Sequence, residues 1–138
     1  MTVRPLAAAL VALLAASAEA SEPKGFVCTF SAGSAHSYQD GRFASETVAP
    51  LSFGISTIDA VAQTANLETA RGTGQLKVVH AVNAMHFLEV VTEGFLHITT
   101  IYDKDEAKGA YPAVHSRHFG ILGQPVVTQY QGFCEAKG

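Results

Sequence analysis

The stretch MHFLEVVTEGFLHITTIY, residues 85–102, decides the fold. Met85 to Thr92 and Phe95 to Tyr102 are both rich in β-branched and aromatic residues, without a helical period, and Glu93-Gly94 separates them. A two-residue link that ends in glycine, which takes positive φ without steric cost, is the signature of a primed hairpin turn. The predicted hairpin sets Val90 opposite His97, Glu89 opposite Ile98 and Leu88 opposite Thr99. One face then carries His86, Leu88, Val90, His97, Thr99 and Ile101. The other carries Phe87, Glu89, Val91, Leu96, Ile98 and Thr100.

Outward from this hairpin the same grammar continues. Strands are predicted at Gly25 to Ser31, Leu51 to Ile58, Gln63 to Glu68, Gln75 to Ala81, Val114 to Leu122 and Val126 to Phe133, with a further short strand near Ser34 to Tyr38. Turn residues fall between them at Asp40-Gly41, Arg71-Gly72-Thr73-Gly74, Asn83-Ala84 and Gly123-Gln124-Pro125. The dense charge run Asp103 to Ala110 is a solvated loop in this scheme, or otherwise a weak cation site. About eight short strands with hairpin-length links make an all-β antiparallel meander.

Cys28 and Cys134 stand near the two ends of that meander. In an oxidising compartment two cysteines most simply pair with each other; two free thiols or an intermolecular bridge are the alternatives. A bridge would bring the first and last strands to about the separation of neighbouring strands. A meander whose ends meet closes into a small barrel and removes its exposed edges. The alternative is a two-sheet sandwich with adjacent termini.

In topology this pattern resembles the small ligand-binding β-barrels of the lipocalin and avidin sort. Lipocalins carry a Gly-x-Trp motif on the first strand and avidins line their pocket with Trp, whereas this chain has no Trp. No family is identified on the motifs, and no functional residue is carried across.

Oxidising export is itself predicted from residues 1–20. Arg4 supplies the positive charge, Leu6 to Ala16 the uncharged apolar run, and Ala18-Glu19-Ala20 the small-x-small site, with cleavage between Ala20 and Ser21. The apolar run is shorter than the about 20 residues that a bilayer span takes. An N-terminal helix of the domain is the alternative reading. Residues 21–138 form a single predicted domain without a membrane span, bound for a periplasm or the outside. Arg4 and Glu19 leave together, so the net charge stays at −3. No basic stripe marks a nucleic-acid partner.

Three constellations are candidates for chemistry. Glu89 lies with Phe87 on a mostly apolar face, where an unpaired charge is costly. His115 and Arg117 share a face of their strand, with Ser116 and His118 on the other. Arg117, whose guanidinium fork matches a carboxylate, is the predicted partner of Glu89, as a structural tie or as a ligand-orienting pair. Glu89, Arg117, His115 and Phe87 are therefore the candidate ligand-binding residues. His80, His86 and His97 form the candidate metal set, since His80 and His86 flank one turn and His86 shares a predicted face with His97. No nucleophile with a base and an orienting group can be assembled: Ser116 and the adjacent His115 point to opposite faces of their strand, no Gly-x-Ser-x-Gly elbow is present, and Gly72-Thr73-Gly74 lacks the Lys-Ser/Thr of a phosphate loop. The leading expectation is a non-enzymatic binding module without a cofactor, holding a small hydrophobic or carboxylate-bearing ligand. A solid-core envelope structural or interaction protein and a histidine-based metal binder are the alternatives.

Overall fold

The computed structural model describes residues 21–90 and 95–138. The predicted signal segment, with Ala20 of its predicted cleavage site, and the predicted Glu93-Gly94 turn lie outside these. Among the described residues nine antiparallel strands follow one another: β1 (Gly25–Gln39), β2 (Arg42–Thr47), β3 (Leu51–Asp59), β4 (Thr64–Thr69), β5 (Gly72–His80), β6 (Ala84–Val90), β7 (Leu96–Tyr102), β8 (Tyr111–Ile121) and β9 (Gln124–Lys137). Strands β3 to β9 pair in chain order, and β1 pairs with both β3 and β9. The result is a closed eight-stranded barrel with β2 as an extra strand; the sandwich alternative is set aside.

Strand β1 does two jobs because it is long. Its first part, Phe26 to Phe30, pairs with β3, and its second part, Ser34 to Gln39, pairs with β2 through the Asp40-Gly41 turn. Both turn residues have positive φ, 52° and 78°, as a primed hairpin turn requires. Every residue of β2 is exposed. The two parts of β1 together pair with β9 along most of its length, which closes the barrel.

Cys28 and Cys134 face each other across the β1–β9 seam and are bonded, with both residues fully buried. Around them the core holds Phe26, Phe30, Phe53, Ile55, Val78, Phe87 and Ile101. Two irregularities adjust which side chains turn inward. The register slips between Thr29 and Ala32 in β1, where Gly132 of β9 meets the Thr29 carbonyl and Phe30 backbone so closely that no Cβ fits. It slips again between Ser56 and Asp59 in β3, where Thr57 takes a φ of 52° and Ile58 follows Ile55 into the core. A bulge of this kind resets the inward parity of a strand.

The β6–β7 hairpin differs from the prediction by one residue. Glu89 is opposite His97, Leu88 opposite Ile98 and Phe87 opposite Thr99. A one-residue slip exchanges the faces of one strand relative to the other. Phe87 and Glu89 therefore share a face with His97, Thr99 and Ile101, while His86 shares its face with Thr100, whose Oγ1 lies 2.9 Å from His86 Nδ1. In the 103–110 segment the Asp105 carboxylate accepts from the amides of Ala107 and Lys108, which makes a self-capped loop.

Candidate functional site

The barrel encloses a cavity of about 420 Å³ that opens at one end. Its walls come from alternate residues of the strands, because alternate side chains point into a barrel. Strand β3 contributes Leu51 and Phe53, β4 contributes Leu67 and Thr69, and β5 contributes Leu76. Strand β6 contributes Phe87 and Glu89, β7 His97 and Thr99, and β8 His115 and Arg117. Arg71, in the β4–β5 turn, stands at the rim. The four residues singled out in the sequence, Glu89, Arg117, His115 and Phe87, thus line one space.

His115 is the buried centre of the polar set. Phe30, Phe53 and Tyr130 surround its ring with centroids 5.8, 5.0 and 6.0 Å away. Arg117 Nε donates to His115 Nε2 at 3.3 Å, so Nε2 is an acceptor and the ring proton is on Nδ1. Nδ1 then donates to Thr99 Oγ1 at 2.8 Å. Burial first, then the nearby Arg117 and His97 charges, push the His115 pKa down to about 3, and it stays neutral at ordinary pH.

Arg117 does not pair with Glu89 as predicted. Among the described residues no carboxylate lies within ion-pair distance of its guanidinium. Instead the guanidinium carbon sits 5.5 Å from the Tyr130 ring centroid, and Nε is tied to His115. The partner of Glu89 is His97, with Oε2 3.5 Å from Nδ1. The observed register explains this, since Glu89 and His97 are directly opposite. Burial lowers the His97 pKa from its ordinary value; Glu89 pulls it back up and Arg117 pushes it down. Glu89 also closes over Gly74, where a Cβ would come 3.4 Å from Oε1.

The candidate metal set is not brought together. His97 faces the cavity, His86 faces the opposite side of the sheet, and His80 lines a smaller groove with Glu22 and Asp103. Among the described residues no three His, Cys, Asp or Glu side chains converge on one point. His97, Thr99, Tyr130 and Arg71 were not among the expected ligand-site residues. The β6–β7 register, off by one in the prediction, had placed the first two on the wrong face.

Comparisons with known protein families, with curated proteins and with solved structures find no match for this chain.

Proposed function

We propose that this barrel binds a small ligand with an apolar body and a carboxylate head. The observation that carries the reading is a cation without a carboxylate partner inside a cavity of mixed apolar and polar walls. Arg117 is half-buried and stacked on Tyr130, one of its donors is used by His115, and the nearest acidic wall residue, Glu89, is taken by His97. The remaining guanidinium donors form a fork of the geometry that takes a carboxylate. Leu51, Phe53, Leu67, Leu76 and Phe87 offer the apolar walls. The cavity volume is in the range of small-molecule sites, about 300–1,000 Å³.

The Cys28–Cys134 bond fits an oxidising compartment. With the predicted leader, it supports export to a periplasm or the outside after cleavage before Ser21. An intact mass of the protein recovered from its own host that begins at any other residue would overturn the cleavage assignment.

The binding test uses 4-phenylbutanoate and its uncharged amide, titrated into the 21–138 chain and followed by amide NMR. The acid is expected to shift cavity resonances and to bind at least about tenfold more tightly than the amide, a difference of about 1.4 kcal/mol. Arg117→Gln should abolish the difference. Equal binding of acid and amide, or no shift with either, would falsify the reading.

A further inference from the structure

Resting on the cavity as a ligand site, we infer that it also performs acid–base chemistry: His97 removes a proton from the carbon beside a carbonyl held by Arg117, and the substrates are 2-oxo acids with an apolar tail.

The inference starts from how the two cavity histidines are engaged. His115 is saturated, with Nδ1 on Thr99 and Nε2 on Arg117, and no lone pair is left for a substrate. His97 is engaged at one nitrogen only. Its Nδ1 faces the Glu89 carboxylate at 3.5 Å, which keeps the ring proton on Nδ1 and leaves the Nε2 lone pair as a base. No described residue hydrogen-bonds that Nε2. The ring centroids of His97 and His115 are 6.0 Å apart, so the base and the Arg117-holding histidine are neighbours across β7 and β8. Burial of His97 lowers its pKa, which keeps the base unprotonated near neutral pH.

Arg117 supplies the complementary half. Its free fork can hold a carboxylate oxygen and the adjacent keto oxygen of a 2-oxo acid together. When the C3–H bond breaks, the proton goes to His97 Nε2. The bonding pair forms C2=C3, and the keto oxygen becomes an enolate oxygen against the guanidinium. A positive charge already fixed where the oxyanion develops stabilises it without reorganisation. Return of the proton to C3 restores the keto acid, and protonation at oxygen gives the enol. Nothing is consumed, so the step needs no co-reactant. Glu89 is a positioning residue in this scheme and does not touch the substrate.

The test follows hydrogen–deuterium exchange at C3 of 2-oxo-4-phenylbutanoate in D2O by proton NMR, with the 21–138 chain. The expected exchange is about a hundredfold faster than in buffer, the low end of general-base catalysis. His97→Gln should return it to the buffer rate. Glu89→Gln, a near-isosteric change at a part-exposed wall position, should slow exchange and move the half-maximal pH downward. Buffer-rate exchange by a protein that binds 4-phenylbutanoate overturns the chemistry and leaves the binding reading standing. Fast exchange that survives His97→Gln, or a pH profile unmoved by Glu89→Gln, overturns the assignment to this pair. A protein that fails to bind 4-phenylbutanoate removes the binding reading and this inference with it.

Discussion

Thr99 Oγ1 and His115 Nδ1 lie 2.8 Å apart, and both residues are about one-twentieth exposed. The hydroxyl is the acceptor that lets the imidazole proton be buried, and it fixes the tautomer that leaves Nε2 for Arg117. Thr99→Val keeps the shape of the side chain and removes the acceptor. A buried donor without a partner costs about 1–3 kcal/mol. The urea midpoint of Thr99→Val should fall accordingly, with an unchanged slope. A midpoint equal to that of the parent would mean that the hydrogen bond contributes nothing.

The same histidine makes stability depend on pH with a definite sign. Its pKa is about 3 in the fold against 6.5 when free. As pH falls below 6.5 the unfolded chain takes up the proton and the folded chain does not. The contribution of His115 is therefore complete above pH 6.5 and lost progressively toward pH 3, at up to about 1.4 kcal/mol per pH unit. His97, also lowered, acts in the same direction. Urea unfolding at pH 7.5 and pH 5 should show a larger loss for the parent than for His115→Gln. Equal losses would place the titration elsewhere.

The disulfide joins residues 106 apart in sequence, and both cysteines are fully buried in the barrel seam. Removing such a link from a small disulfide-bonded domain costs about 2–5 kcal/mol, mostly by freeing the unfolded chain. The double variant Cys28→Ala, Cys134→Ala should lose stability in that range. Mild thiol reductant should leave the folded parent oxidised, because neither sulfur is accessible without opening the β1–β9 seam. Rapid reduction of the native protein, read by thiol labelling, would contradict the buried position.

Gly132 tests the seam from the other side. A Cβ there would stand 2.7 Å from Phe30 Cα and closer still to the Thr29 carbonyl oxygen, both of them backbone atoms that cannot swing away. Gly132→Ala should cost at least about 1–3 kcal/mol, as overpacking does. At Gly120 the nearest atom to an added Cβ is 3.7 Å away, so Gly120→Ala is the matched control and should be near neutral. Thermal melts of the two variants separate the cases, and a destabilised Gly120→Ala with an intact Gly132→Ala would reverse the argument.

The closed meander was legible because its strands carry β-branched and aromatic residues between turn residues, and because Cys28 and Cys134 mark its two ends. The register of the central hairpin was not. Reading Glu93-Gly94 as a two-residue link implies an even number of residues between facing partners, whereas Val90 faces Leu96 across an odd number. That single residue turned His97 and Thr99 away from Glu89 in the prediction and hid the carboxylate–imidazole pair. Arg117 then looked like the natural partner of Glu89 on charge alone, since charge can be read from a sequence and register cannot. Strand β2, RFASET, was missed because a wholly exposed strand has no burial alternation to show. His115 and Arg117 were placed correctly relative to one another because both lie on one strand, where parity needs no partner.

The cavity electrostatics yield a prediction with opposite signs for two neighbours of one group. His97 is lowered by burial; Glu89 on β6 raises it and Arg117 on β8 lowers it. His115, the other titratable group facing it from β8, stays neutral and contributes little at ordinary pH. Glu89→Gln should therefore lower the His97 pKa further, and Arg117→Gln should raise it toward its ordinary value. The imidazole Cε1 proton of His97, followed by NMR across pH 4–8, reports both. A change in the fold would move the two variants in the same direction, through altered burial. Only the charge arrangement described for the cavity moves them apart, and a shift of the same sign in both would show that His97 responds to desolvation alone.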